Sequence, residues 1–370
     1  MEIRGSESDI TVWNPKPFPI GNTFWLPNKN NKKTTINYEK KISVKVPLRL
    51  SPIMLDLTRF VPTGINVREY GAGEVSIAVN SYLSVILSLN KNNDSKINGT
   101  DKESVVRHAI ELYKKAIGED FGVDIKVEVD NNLSHVGLGT TPAHISAIIL
   151  GINSLCDNYF DNRELSRLIT LNYGEEFSGD KNMLVPGIST GGAFWSCIFG
   201  GINVTSGDFS NVFSSKLNTD LDLIVSIPIT KEKQWAEKGF EIPIMDLVRK
   251  YDRFDAGKIC HWVLMRLMPA ILDNDVKKIG EVFWDVTLNT SKAIPPIIKH
   301  GVFSTFDLLA ELYVNNVEGA FLSSAGPLIG CFSMENGKTK LIESLFDKYS
   351  IPYKIMKIDN KGIEINKISD

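Results

Sequence analysis

The chain has few cysteines: four in 370 residues (Cys156, Cys197, Cys260 and Cys331), none in a Cys-x-x-Cys spacing. That scatter signals neither a zinc site nor a disulfide framework, and it fits a reducing cytoplasm. A long basic run is also missing, and the net charge is −3. Nucleic acid is therefore not the expected partner, although an anionic small molecule needs only a local site. No apolar run is long enough to span a bilayer, so no membrane partner is expected. The first ten residues are polar and acidic, which is not a secretory signal. No internal repeat is visible.

What is present is ordinary globular material, 43% hydrophobic and 23% charged, in a chain long enough for two domains. Residues 1–43 read as an N-terminal extension rich in Asn, Lys, Pro and aromatics. Trp13, Phe18, Phe24 and Trp25 would pack on the body or on a partner subunit. Alternating strands are expected at Ile42–Val46, Val75–Val79, Tyr82–Leu89 and Asp124–Val129. Amphipathic helices are expected over 104–118, 161–173, 256–272, 275–290, 303–315 and 338–349. A strand, glycine turn and strand fall at 320–330, and a last strand at 353–357. This mixed order indicates an α+β fold rather than a regular βαβαβ sheet.

One stretch organises the rest. After the strand at 124–129 comes Gly137-Leu138-Gly139-Thr140-Thr141, and then Ile145, Ile148, Ile149 and Ile152 at helical spacing. A strand, a Gly/Thr loop and a helix start can cradle phosphate, because the first helical N–H groups lack intrahelical partners and point at an anion. The same loop also reads as a plain tight turn into a core helix. A second glycine-rich region, Pro186 to Gly207, contains Ser189-Thr190-Gly191-Gly192, which looks like a phosphate loop too. It lacks the preceding acidic pair of ordinary phosphoribosyltransferases.

Three places together resemble the GHMP kinase superfamily: Pro47-Leu48-Arg49-Leu50, Gly137 to Thr141, and Ser323-Ser324-Ala325-Gly326-Pro327. The resemblance covers roughly residues 44–360. It implies a two-domain GHMP-kinase-like fold, with a ribosomal-S5-like domain over 44–206, a ferredoxin-like domain over 207–370 and the active site between them. Within that superfamily the chain looks most like the β-ribofuranosylaminobenzene 5′-phosphate synthase family. Arg49 to Leu57, Gly187 to Gly201, Cys260 to Ala270 and Ser323 to Pro327 carry this narrower likeness.

The resemblance implies transfer of ribose 5-phosphate from phosphoribosyl pyrophosphate (PRPP) to an aromatic acid, with loss of carbon dioxide and use of Mg²⁺, in a homodimer. Related kinases carry an Asp before Gly-Gly that takes the substrate hydroxyl proton. Here that position is Ala193, which cannot accept a proton, and a synthase whose electrophile leaves as pyrophosphate needs no such base. Gly137, Leu138, Gly139, Thr140 and Thr141, with Ser189, Thr190, Gly191 and Gly192, are the expected phosphate contacts. Arg49, Asp56 and His135 are the expected catalytic residues. Arg68, Ser323, Ser324 and Gly326 are further substrate contacts, and Asp56 or Glu74 would hold Mg²⁺ through water.

Other readings stay bland. His108 and His300 are expected on polar surfaces, His144 as a cap or packing residue, Met265 in a helical core, and Glu175-Glu176 in a solvated turn. The chain departs from the synthase pattern at Ser51, at Val185-Pro186 and at Thr140-Thr141-Pro142. A heteroaromatic acceptor on a C-nucleoside pathway therefore fits as well as the methanopterin one. An ATP-dependent GHMP kinase using an unaligned base, and a non-catalytic ligand-binding homologue, are the alternatives.

Overall fold

The computed structural model describes residues 16–28, 34–59, 62–64, 71–128, 137–217, 221–227, 248–293, 303–324, 326, 328–334 and 336–368. Trp13, Arg68, His135, His300, Ala325 and Pro327 lie outside the described residues.

In chain order the elements are β1 (Phe18–Pro19), β2 (Lys41–Met54), β3 (Glu74–Asn90), β4 (Lys96–Asn98), α1 (Glu103–Ile117), β5 (Gly122–Glu128), α2 (Thr140–Leu155) and α3 (Asn162–Leu171). Then come β6 (Gly174–Glu176), β7 (Met183–Pro186), α4 (Gly192–Phe199), β8 (Ile202–Thr205), β9 (Asn211–Ser215) and β10 (Asp222–Ser226). A composite helix α5 follows, as Ala256–Trp262, a π-helical stretch Val263–Leu267, and Met268–Leu272. The rest is α6 (Val276–Asn289), α7 (Phe303–Val314), β11 (Gly319–Leu322), β12 (Ile329–Ser333), α8 (Asn336–Lys348), β13 (Tyr353–Met356) and β14 (Glu364–Ile368).

Two long strands, β2 and β3, replace three of the short ones that alternation alone predicts, and the fourth is β5. β2 buries Ile42, Val44, Val46, Leu48 and Leu50, and β3 buries Val75, Ile77, Val79, Leu83, Val85 and Leu87. They form the centre of a seven-stranded sheet ordered β14-β2-β3-β5-β4, with β8 added along β3 and β9 along β8. Their register shifts twice, between Pro47 and Leu48 and between Leu50 and Ile53. The second shift coincides with Pro52, which has no N–H for the ladder. It leaves the main chain of Ser51 free to bond elsewhere, which matters for the site.

Helices α1, α2 and α4 cover this sheet. The capping box at Asp161 and Glu164 starts α3. The extension packs on its own chain. β1 pairs with β7, Phe18 is buried, and Trp25 receives the Arg167 guanidinium over its ring.

The second sheet is antiparallel, in the order β11-β12-β10-β13. Helices lie between β10 and β11 and between β12 and β13, so this is the βαββαβ ferredoxin-like arrangement. The division expected at residue 207 is crossed in space. β9 and β14 both belong to the first sheet, since β9 pairs with β8 and β14 with β2. No helix among the described residues is long and apolar enough to cross a membrane.

Candidate active site

Three loops distant in sequence meet on one hydroxyl. Ser323 Oγ accepts from Ser51 N at 3.0 Å and donates to Gly137 O at 2.8 Å. Ser324 N donates to Ser51 O at 2.9 Å, and Arg49 N donates to Leu138 O at 3.1 Å. The irregular main chain at Ser51 thus joins β2 to the turn after β11, while Arg49 fastens the glycine loop. All three motif places that carry the GHMP resemblance converge here.

The loop runs directly into α2. Gly137 and Gly139 have φ of 100° and 66°, values that suit glycine. Gly139 precedes the first helical residue, and no side chain caps the helix. Thr140 and Thr141 are buried. The Arg49 side chain lies on the loop, so a Cβ added at Gly139 would sit 3.3 Å from its Cγ and Nε. A guanidinium is thereby held against the positive end of a helix.

Arg49 Nε stands 3.2 Å from Glu74 Oε1, with the carboxylate fully buried. The pair is close but not aligned as a hydrogen bond, and Arg49 Nη1 is buried with no hydrogen-bond partner. Glu74 in turn meets the second glycine region. Thr190 Oγ1 donates to its Oε2, and a Cβ at Gly192 would lie 2.5 Å from the same oxygen. Gly191, with φ of 80°, precedes α4 much as Gly139 precedes α2. The Arg49–Glu74 pair therefore spans two helix starts. Ser189 Oγ turns back to accept from Gly191 N.

Behind the α2 start lies a second polar group. Glu175 and Glu176 form part of β6 instead of a solvated turn. Tyr173 donates to Glu175, and Thr141 also bonds that carboxylate. Burial, then the neighbouring Glu176, pushes the Glu175 pKa up to about 7. Lys102, itself buried, reaches Glu176 at 2.8 Å. His144 bonds Thr140 O at 2.8 Å and Thr100 Oγ1 at 3.1 Å. Burial lowers its pKa to about 4, so it is a neutral packing and bonding group.

Asp56 starts the short 3₁₀ turn Leu57–Arg59, accepting from Thr58 N at 3.0 Å and from its hydroxyl. His108 is buried, not on a polar surface, because Gly21 N and Asn172 O bond its two ring nitrogens. Met265 is 59% exposed and not in a core. The π-helical stretch it occupies holds more residues per turn, so an i, i+4 spacing no longer marks one face.

Sequence reasoning missed Lys292 and Asp252. Lys292 is buried in the 3₁₀ turn Ser291–Ala293 and donates to Ser324 O at 2.7 Å and Ser51 O at 3.4 Å. Asp252 accepts from Leu57 N at 2.6 Å and from Ser291 Oγ. Burial raises its pKa to about 6. Neither falls in a glycine motif, so only their contacts reveal them.

No group of three or more His, Cys, Asp or Glu side chains able to hold a metal occurs among the described residues. The Glu74 carboxylate is engaged by Arg49 and Thr190, and one Asp56 oxygen by Thr58.

No family model matches the chain. One curated relative, a beta-ribofuranosylphenol 5′-phosphate synthase of Methanocaldococcus jannaschii, is 30% identical over 126 residues, 33% of this chain and 37% of that protein's length. Homoserine kinase from Cytophaga hutchinsonii superposes with a TM-score of 0.59 at 15% identity, covering 90% of this chain and 100% of that one. Mevalonate diphosphate decarboxylase from Staphylococcus aureus gives 0.59 at 15% identity, covering 88% and 98%. The three motif places converge on Ser323, and these likenesses show that the chain shares the fold of homoserine kinase and mevalonate diphosphate decarboxylase and is similar in sequence to the synthase over a third of its length.

Proposed function

We propose that the protein is a PRPP-dependent, decarboxylating C-ribosyltransferase that joins ribose 5-phosphate to an aromatic or heteroaromatic carboxylic acid. The observation that carries this reading is the start of α2. An uncapped helix end faces a guanidinium whose Nη1 has no partner. A guanidinium held against the positive end of a helix fits a site built for diphosphate.

The chemistry suits what surrounds that end. The C1–O bond of PRPP breaks and its electron pair leaves on pyrophosphate. The ring carbon bearing the carboxylate bonds to C1. The ring–carboxylate bond then breaks, its pair restores aromaticity, and carbon dioxide departs. No proton is taken from carbon, so Ala193 needs no replacement as a base. Arg49 and the first N–H groups of α2 stabilise the charge that builds on the leaving group. No step here is routed through a metal. Mg²⁺ arriving with the diphosphate, and a homodimeric assembly, belong to the same proposal.

Pyrophosphate and carbon dioxide released in equal amounts from PRPP and a panel of aromatic acids test the reading. Absence of PRPP binding in calorimetry overturns it. One observation favours a second reading, an ATP-dependent small-molecule kinase. Glu74 brings a carboxylate to Arg49 and to the first residue of α4, beside Ala193. Phosphate transfer from ATP to an alcohol, abolished in Glu74→Gln, would decide for it.

A further inference from the structure

We infer that Lys292 is a positioning residue of this site, a buried cationic clasp that locks the Ser323–Ser324 turn onto β2 and so holds Arg49 in register with the glycine loop.

The inference starts from how the lysine is bonded. Its Nζ reaches two carbonyl oxygens, Ser324 O at 2.7 Å and Ser51 O at 3.4 Å. Among the described residues no carboxylate lies within ion-pair distance of it. A buried ammonium without such a partner is costly, and packing alone would be served better by an apolar side chain. One carbonyl belongs to β2 and the other to the turn after β11, so the ammonium ties the first sheet to that turn at the point where Ser323 joins β2 to Gly137.

The lysine is itself fixed from behind. Lys292 N donates to Thr290 Oγ1 at 3.2 Å, Ser291 N donates to Asp255 at 3.0 Å, and Ser291 Oγ donates to Asp252. The turn it holds is strained, since Ser324 has φ of 56°. A non-glycine residue stays in that region only when its surroundings hold it there. A side chain carried on a turn fixed by its own neighbours and gripping a strained turn beside the proposed diphosphate site is the arrangement that positioning requires.

The charges facing Lys292 are Arg49 on β2, Glu74 on β3, and Asp252 on the segment before α5. Burial, the largest cause, lowers its pKa to about 7, with Arg49 adding to that lowering and Glu74 and Asp252 opposing it. The clasp is therefore charged below about pH 7 and loses its proton above. Asp252, titrating near 6, becomes negative as pH rises and favours the ammonium, so it cannot mimic this loss.

The test uses the full chain with Lys292→Met and Lys292→Arg. The first readout is hydrogen exchange of the peptide spanning 319–333, corrected for the intrinsic pH dependence. It needs no substrate. In the wild type, exchange of this turn should accelerate as pH rises through about 7. In Lys292→Met it should be at least tenfold faster at pH 6, with the peptide at 222–227 unchanged, and Lys292→Arg should restore slow exchange. The second readout is turnover, which rests on the proposed function. For Lys292→Met, kcat should fall about a hundredfold while KM for PRPP moves less than threefold. The falling limb of the rate above about pH 7 should vanish, and Lys292→Arg should recover most of the rate.

A folded Lys292→Met chain with wild-type exchange and a wild-type pH profile overturns the inference. If the Met variant does not fold, the wild-type pH series decides, and a flat series overturns it. If the wild type releases no pyrophosphate, the proposed reaction fails while the exchange readout still judges Lys292.

Discussion

The chain contains two helices that begin alike and end up in opposite electrostatic settings. Both α2 and α4 follow a glycine turn, and both start after a glycine of positive φ with no side-chain cap. At α4 the protein supplies its own anion. Glu74 lies against Gly192 and takes the Thr190 hydroxyl. At α2 it supplies a cation, Arg49, lying on Gly139. A glycine-rich helix start is thus not by itself a ligand site. The side chain that the neighbouring strand delivers decides whether the end is already satisfied or is left for a ligand. Arg49 and Glu74 come from adjacent strands, so one ion pair sets both outcomes.

The sharpest way to break this contrast is Arg49→Met. It removes the cation at α2 and leaves Glu74 buried without a counter-charge. Turnover should fall by about 10²–10³-fold, the range for losing one preorganised donor to a developing anion. PRPP affinity measured by calorimetry should drop in parallel, and unaltered affinity would mean that α2 is not the diphosphate site.

Glu74→Gln attacks the other end. The amide keeps a partner for Thr190 but leaves the Arg49 guanidinium uncompensated. Breaking one side of a buried pair costs roughly 3–5 kcal/mol. Arg49 is slightly exposed, so the lower part of that range is expected in urea denaturation. PRPP binding by the folded variant should be equal or tighter, because Arg49 is released toward the ligand. If binding is lost instead, Glu74 acts on the ligand and the two helix ends are not distinct.

Much of this contrast could be read in the sequence, but not all of it. The strand–loop–helix at 124–155 and the motif places at Arg49, Gly137 and Ser323 are local patterns, and the structure brings them together as the resemblance implies. The βαββαβ order of the second sheet follows from element order. What could not be read depends on register. Glu74 reaches α4 only because β3 runs unbroken for 17 residues. Ser51 bonds the turn because a shift near Pro52 frees its main chain. Glu175 looked solvated because acidic pairs usually are, yet β6 carries it under α2. Lys292 sits in a short turn with no motif, and its role depends on contacts more than 200 residues away.

Paired glycine substitutions sharpen the comparison with a smaller effect. Gly192→Ala places a Cβ 2.5 Å from Glu74 Oε2, so the closed end must shift. An overpacking cost of about 1–3 kcal/mol in thermal or chemical unfolding is expected, with PRPP affinity changed less than threefold. Gly139→Ala meets only a 3.3 Å contact with Arg49, but it forces φ of 66° on an L-residue. A cost near 1 kcal/mol is expected, with a tenfold loss of PRPP affinity. Equal effects on affinity from the two variants would erase the distinction between the helix ends.

The smallest effect lies behind α2, in the pH dependence of stability. Burial raises Glu175 from 4.5 to about 7 in the folded chain. Below 4.5 the group is protonated in both states and has no influence. As pH rises from 4.5 toward 7, the unfolded chain releases the proton while the folded chain keeps it, so stability declines across that window. Glu175→Gln should flatten this part of the stability curve, as read by urea midpoints between pH 4 and 8. Glu74→Gln should leave its slope in place, since Glu74 lies at the other helix. A neutral glutamic acid beside Thr141 also keeps a second negative charge away from the end of α2 when an anion binds there. The flattened variant should therefore bind PRPP at pH 8 somewhat more tightly than the wild type, and at pH 5 no differently. A wild-type slope retained in Glu175→Gln would show that this carboxyl does not titrate in the folded chain as its burial requires.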